Sequence, residues 1–142
     1  MPDMTRTGDA LFDTFPTHLS GAKVTPAQFA ILVLDMMQSN SHGGLSGLLD
    51  RFRDHGFDDA VRTWIGNGAN LTLNPEDVRR VIGSKSIDVL AHKAGVLPKA
   101  ATAELASLIP QLVDKLTPAG HLPDEEGLAR NFDLLKEKIG ML

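Results

Sequence analysis

The chain has 142 residues, a formal net charge of −4 and no cysteine. The missing thiols exclude disulfides, cysteine-ligated zinc and thiol nucleophiles, and the negative charge gives no general attraction for nucleic acid or anionic lipid. Hydrophobic residues make up 42% and charged residues 23%, values typical of one soluble globular domain with a core of its own.

Neither a secretion signal nor a membrane span is predicted. The N-terminal residues lack a basic stretch followed by an apolar one. The longest apolar run, residues 29–34, falls far short of the ~20 residues needed to cross a bilayer. We therefore expect no membrane association, and a cytoplasmic location fits the absence of cysteine.

The N-terminal residues 1–24 are expected to be flexible or peripheral, because glycine, threonine and aspartate dominate them. Leu11, Phe12 and Phe15 are spaced for one short amphipathic turn. The first helix is predicted to follow this segment, because Thr25 and Gln28 match a capping box. It should run to about residue 38, and its nearly continuous apolar surface predicts that it is enclosed on more than one side.

Two short amphipathic helices are predicted back to back between residues 43 and 66. Their apolar residues recur at helical spacing, and they are Leu45, Leu48, Leu49 and Phe52 in the first helix and Phe57, Ala60, Val61, Trp64 and Ile65 in the second. Gly56 can adopt the positive φ that ends the first helix. Trp64, the only tryptophan, is expected to be a central packing residue.

Three further helices are predicted between residues 74 and 116. Asn74 should cap the first, Ser84 the second, and Gly95 should close the second. The third has the longest apolar face, formed by Ala101, Leu105, Leu108, Ile109, Leu112, Val113 and Leu116. Pro110 interrupts that face, which predicts a kink or break near Leu108.

A last helix is predicted after Asp124, which can cap it. Its apolar residues form a narrow stripe that could dock on the core or pair with another copy, namely Leu128, Phe132, Leu135 and Ile139. The expected organisation is a peripheral segment (1–24), a helical domain (25–123) and a C-terminal amphipathic helix (124–142). The predicted fold class is all-α, a compact array of six or seven short helices.

The residues between 43 and 123 resemble the YidB-like family of small bacterial proteins. The matching features, in order, are Gly43-Gly44-Leu45, Trp64-Ile65-Gly66, Asn70, Asn74-Pro75, Ile109-Pro110 and Thr117-Pro118-Ala119-Gly120. Residues before Gly43 and after Pro123 contribute little to the likeness. The resemblance implies a compact multihelical fold and supplies no activity, cofactor or catalytic residue.

The glycine-asparagine loop at residues 66–70 is the first functional candidate. Its backbone N–H groups could hold an anion, and a small ligand could bind between this loop, with Asn67 and Asn70, and Trp64. The alternative is structural, because glycine and asparagine tolerate left-handed backbone geometry and asparagine side chains bond to nearby backbone.

No enzymatic constellation is recognised. The histidines form no i, i+4 pair and no HExxH motif, no serine lies in a GxSxG elbow, and the acidic pairs fall in first helical turns, where the helix dipole favours them. We expect no cofactor, no metal and no catalytic residue. Residues 90–104 resemble a helix-turn-helix, but Lys99 is the only base in the would-be recognition helix and Glu104 opposes phosphate, so nucleic-acid binding is disfavoured.

The leading hypothesis is therefore a non-enzymatic helical domain that acts through protein–protein contact. A partner protein, or self-association, would use the C-terminal stripe with Phe132, Leu135 and Ile139. The alternative is a small-ligand binder near Trp64 and the 66–70 loop, and a weaker alternative is helix-turn-helix-like DNA binding.

Overall fold

A computed structural model of the protein describes residues 22–39, 43–66 and 73–141. Within these ranges the chain forms α-helices and no strand. The seven helices are α1 (Pro26–Gln38), α2 (Gly44–Phe52), α3 (Asp58–Ile65), α4 (Pro75–Ile82), α5 (Ser84–Ala94), α6 (Pro98–Leu116) and α7 (Glu125–Gly140). The predicted all-α class and helix number are confirmed. Most of the segment predicted to be peripheral lies outside the described residues.

Side-chain caps begin three of the helices as predicted. Thr25 and Gln28 form the capping box of α1, with distances of 3.1 and 2.9 Å between the side-chain oxygens and the backbone nitrogens. The side chains of Asn74 and Asp124 accept backbone N–H groups at the starts of α4 and α7. Ser84 does not cap α5, because Gly83 occupies the N-cap position and Ser84 is already helical.

The α2–α3 pair is joined by a short π-helical turn, Arg53–Phe57. Gly56 adopts φ 93° there, a backbone conformation that residues with a Cβ atom rarely adopt. The turn brings the faces of α2 and α3 together, so that the rings of Phe52 and Trp64 meet edge to face with centroids 5.3 Å apart. Trp64 is fully buried, as expected for a central packing residue.

Helix α6 is the centre of the fold, since it packs against α1, α3, α4, α5 and α7. Every residue of its predicted apolar face is buried. The helix runs unbroken through Pro110, so the predicted break near Leu108 is absent. Packing on both sides holds the helix together there, and the side-chain amide of Gln111 donates to the Ser107 carbonyl at 3.0 Å beside the proline.

Helix α7 packs against α1 and α6 and belongs to the same core. The stripe residues Phe132, Leu135 and Ile139 are buried in this contact. The Lys136 ammonium lies 2.6 Å from the Asp35 carboxylate, which ties α7 to α1. The stripe expected to offer a surface to a second copy is thus already covered by the chain's own helices, and self-association through it would require α7 to undock.

A candidate interaction groove between α1 and α5

An open groove of about 490 Å³ lies between α1 and α5. Its lining combines apolar side chains with a few polar and charged ones. The lining residues are Leu32, Asp35, Met36 and Ser39 from α1 and Lys85, Ser86, Val89, Leu90 and Lys93 from α5. We call this surface the α1/α5 groove.

Helical spacing explains which side chains face the groove. Lys85, Val89 and Lys93 are each four residues apart, so they share one exposed face of α5 while the opposite face is buried against α6. On α1, Leu32 and Met36 are likewise four apart and only half-buried. Val89 keeps 50% of its surface exposed, a large value for an aliphatic side chain.

The polar lining groups divide into two kinds. Asp35 is engaged by Lys136, and the Ser39 hydroxyl donates to the Met36 carbonyl at 2.8 Å, so both are satisfied within the chain. Lys85 and Lys93 are exposed, and neither has an ion-pair partner among the described residues. The groove therefore presents an apolar lining beside two lysines that form no ion pair with residues 22–39, 43–66 or 73–141.

The residues singled out from the sequence lie elsewhere. Trp64 is enclosed by the core and is not among the groove-lining residues. Asn67 and Asn70, with nearly all of the 66–70 loop, lie outside the described residues, so the ligand site placed there stays a prediction. The stripe on α7 is buried beneath α1, as described above.

The groove was not predicted from the sequence. The signal was the four-residue spacing of Lys85, Val89 and Lys93 beside an inward face of Ile87, Leu90, Ala91 and Ala94. That spacing shows an exposed valine between two lysines on one face of α5. It does not show that α1 lies alongside.

Glu104 is a second feature missed from the sequence. It lies within α6, is fully buried, and both carboxylate oxygens lack a hydrogen-bond partner within the described ranges. Burial raises the pKa of this carboxyl from its ordinary 4.5 to about 7, because desolvation disfavours the charged form. Glu104 does not line the α1/α5 groove.

The turn predicted between α5 and α6 is present, with Gly95 at φ 72°. On its second helix, Ala101, Thr102, Leu105 and Ala106 are all buried. A recognition helix presents its N-terminal side chains to the major groove. In α6 the first turn lies at the surface, where Pro98 and Lys99 are exposed, and the residues that follow enter the core.

Among residues 22–39, 43–66 and 73–141, no three His, Asp or Glu side chains come together as a metal site. None of the helices in these ranges combines the length and apolarity that a bilayer crossing requires.

The fold and the groove define a small multihelical protein with an open, partly apolar surface. The chain belongs to the YidB-like protein family, which it matches over residues 7–125. It is 28% identical to the uncharacterized protein YidB of Escherichia coli K12 over 101 residues, which cover 68% of this chain and 76% of the relative. The resemblance seen between residues 43 and 123 is confirmed, and the match begins earlier, at residue 7.

A solved structure supports the same fold. The homeodomain-like protein of unknown function S4005 from Shigella flexneri superimposes with a TM-score of 0.62 and 27% identity. The alignment covers 81% of this chain and 89% of the Shigella protein. Neither relative's name states an activity.

Proposed function

We propose that this protein is a non-enzymatic binding domain whose α1/α5 groove receives a short amphipathic segment of a partner protein. The groove itself carries the proposal. Leu32, Met36 and Val89 offer an apolar lining, and Lys85 and Lys93 offer charges that an acidic segment can neutralise. The partner is expected in the cytoplasm, in keeping with a chain that has no thiol to oxidise.

A small ligand is the alternative occupant, since the groove volume falls within the range of roughly 300–1,000 Å³ for such sites. Small-molecule sites also place a few fixed polar groups around the ligand. Here Asp35 and Ser39 are already bonded within the chain, and the remaining charges sit on long, exposed lysine side chains. This arrangement favours an extended protein segment over a compact molecule.

DNA binding is the weaker alternative. Arg79, Arg80, Lys85 and Lys93 are exposed on α4 and α5, but Arg80 is paired with Asp77 at 2.9 Å. The chain's net charge is negative, and α6 is buried from Ala101 onward on the face that carries Ala101, Thr102 and Leu105, which leaves Lys99 as the only base exposed in its first turn. These observations favour a protein partner.

Site-specific photocross-linking in the native host tests the proposal. A benzophenone amino acid is placed at position 89, in the groove, and separately at position 134 on α7. Val89 and Leu134 are matched, because each is an aliphatic residue with 50% of its surface exposed. We expect a discrete cross-link to another protein from position 89 and much less from position 134.

The charge contribution is tested in the same experiment. The double substitution Lys85→Glu/Lys93→Glu should weaken the cross-link from position 89 several-fold, because it reverses the charge beside the apolar lining. Two results would contradict the proposed site: equal cross-link yields from positions 89 and 134, or a yield from position 89 that the double substitution leaves unchanged.

A further inference from the structure

We propose that the chain's own N-terminal segment, residues 1–21, docks into the α1/α5 groove and competes there with the partner. The inference rests on the proposed function for this competition only. The docking itself follows from the attachment point, the reach and the chemistry of the segment.

The attachment point lies at one end of the groove. The Lys23 backbone N–H donates to the Ala94 carbonyl at 2.8 Å, so the described chain starts at the C-terminal end of α5. The Lys23 side chain packs closely over Gly95, and Ala22 and Val24 pack against the core. The described chain therefore begins beside the residue that follows Lys93, and Lys93 lines the groove.

The reach of the segment is sufficient. Lys85 and Lys93 are eight residues apart on α5, which spans roughly 12 Å along the helix axis. Phe12 precedes Ala22 by ten residues, a stretch that reaches roughly 35 Å when extended. A tether of this length keeps the segment at an effective concentration on the order of millimolar, so even weak contacts can hold it.

The chemistry of the segment matches the groove. Leu11, Phe12 and Phe15 supply apolar anchors at the spacing of one helical turn, and Asp9 and Asp13 lie among them. Residues 1–21 contain three aspartates against one arginine, whereas the groove presents two lysines without ion-pair partners in the described structure. The family match starts at residue 7 and so includes these anchors.

Engineered thiols test the docking directly, because the chain has no cysteine of its own. The purified full-length double variant Phe12→Cys/Val89→Cys is oxidised mildly, and the products are separated by intact mass and non-reducing electrophoresis. We expect an intramolecular disulfide in the monomer. The matched variant Phe12→Cys/Leu134→Cys should form its disulfide at least about tenfold more slowly. Its second thiol is equally exposed but lies outside the groove.

Each other outcome overturns the inference. A disulfide-linked dimer would assign the groove to a second copy. Equal rates for the two thiol pairs, or no disulfide while both thiols are alkylated readily, would show that the segment does not dock. Adding Lys85→Glu/Lys93→Glu to Phe12→Cys/Val89→Cys should slow the reaction, and an unchanged rate would count against the charge match.

The two proposals fail separately. The disulfide experiment contains no partner protein, so its failure would overturn only the docking of the N-terminal segment. A cross-link from position 89 to another protein would still support the proposed function. Conversely, an intramolecular disulfide without any partner cross-link would leave the groove as an internal docking site alone.

Discussion

Replacing Trp64 by alanine is expected to lower the free energy of unfolding by about 3–5 kcal/mol, as for other large aromatic residues removed from a core. Trp64 is fully buried, and its ring packs edge to face on Phe52. Domains of this kind are stable by only about 5–15 kcal/mol, so the variant should lose a large share of its stability. Urea denaturation monitored by circular dichroism measures the change.

Leu134→Ala is the control for this experiment, because Leu134 is half exposed. Its effect should stay within about 0.5 kcal/mol, as for most surface substitutions. A loss below about 1 kcal/mol for Trp64→Ala would mean that the indole is not enclosed by the core. The intrinsic fluorescence of the unmodified protein reports on the same point, since Trp64 is the only tryptophan.

Glu104→Gln is expected to stabilise the protein above pH 7. The folded state raises the Glu104 pKa from 4.5 to about 7, so the folded state binds the proton more tightly than the unfolded chain. The stability linked to this group is therefore fully present below about pH 4.5 and is lost as the pH rises to about 7. A shift of this size corresponds to roughly 3 kcal/mol.

The measurement is the unfolding free energy of both proteins between pH 4 and pH 8. The difference between Glu104→Gln and the unmodified protein should be small near pH 4 and should grow in favour of the glutamine variant until about pH 7. Glu137→Gln is the control, because Glu137 is exposed on α7 and should not change this profile. A glutamine variant with the same pH profile as the unmodified protein would contradict the buried, unpartnered position of Glu104.

Local structure could be predicted because its causes lie within a few residues. The caps at Thr25, Asn74 and Asp124 depend on side chains that reach backbone N–H groups three positions away. The buried faces of α4, α5 and α6 follow from the periodicity of their apolar residues. Ser84 was predicted wrongly because Gly83 can itself occupy the N-cap position.

Tertiary arrangement could not be predicted in the same way. The stripe on α7 was compatible with docking or with pairing, and the choice is made by contacts with residues distant in sequence. The Asn131 side chain donates to the Leu116 carbonyl at 3.0 Å, and Lys136 bonds to Gln38 and Asp35 on α1. The unbroken path of α6 through Pro110 likewise depends on the helices packed around it.

The candidate site was hidden for the same reason. A groove exists only where two helices lie side by side, and nothing in the periodicity of α1 or α5 identifies the other as its neighbour. Glu104 reads as an ordinary charged residue within an alanine-rich helix start. Its burial becomes visible only once α6 is seen to be the helix that the others surround.

The central claim is that the α1/α5 groove is occupied in the working protein, by a partner or by the N-terminal segment. The most direct test compares thiol alkylation of Val89→Cys and Leu134→Cys by a bulky maleimide in intact cells, with each rate normalised to that of the denatured variant. The two side chains are equally exposed in the fold, so an empty groove gives equal rates. Several-fold slower alkylation at position 89 is the expected result, and equal rates at the two positions would contradict the account.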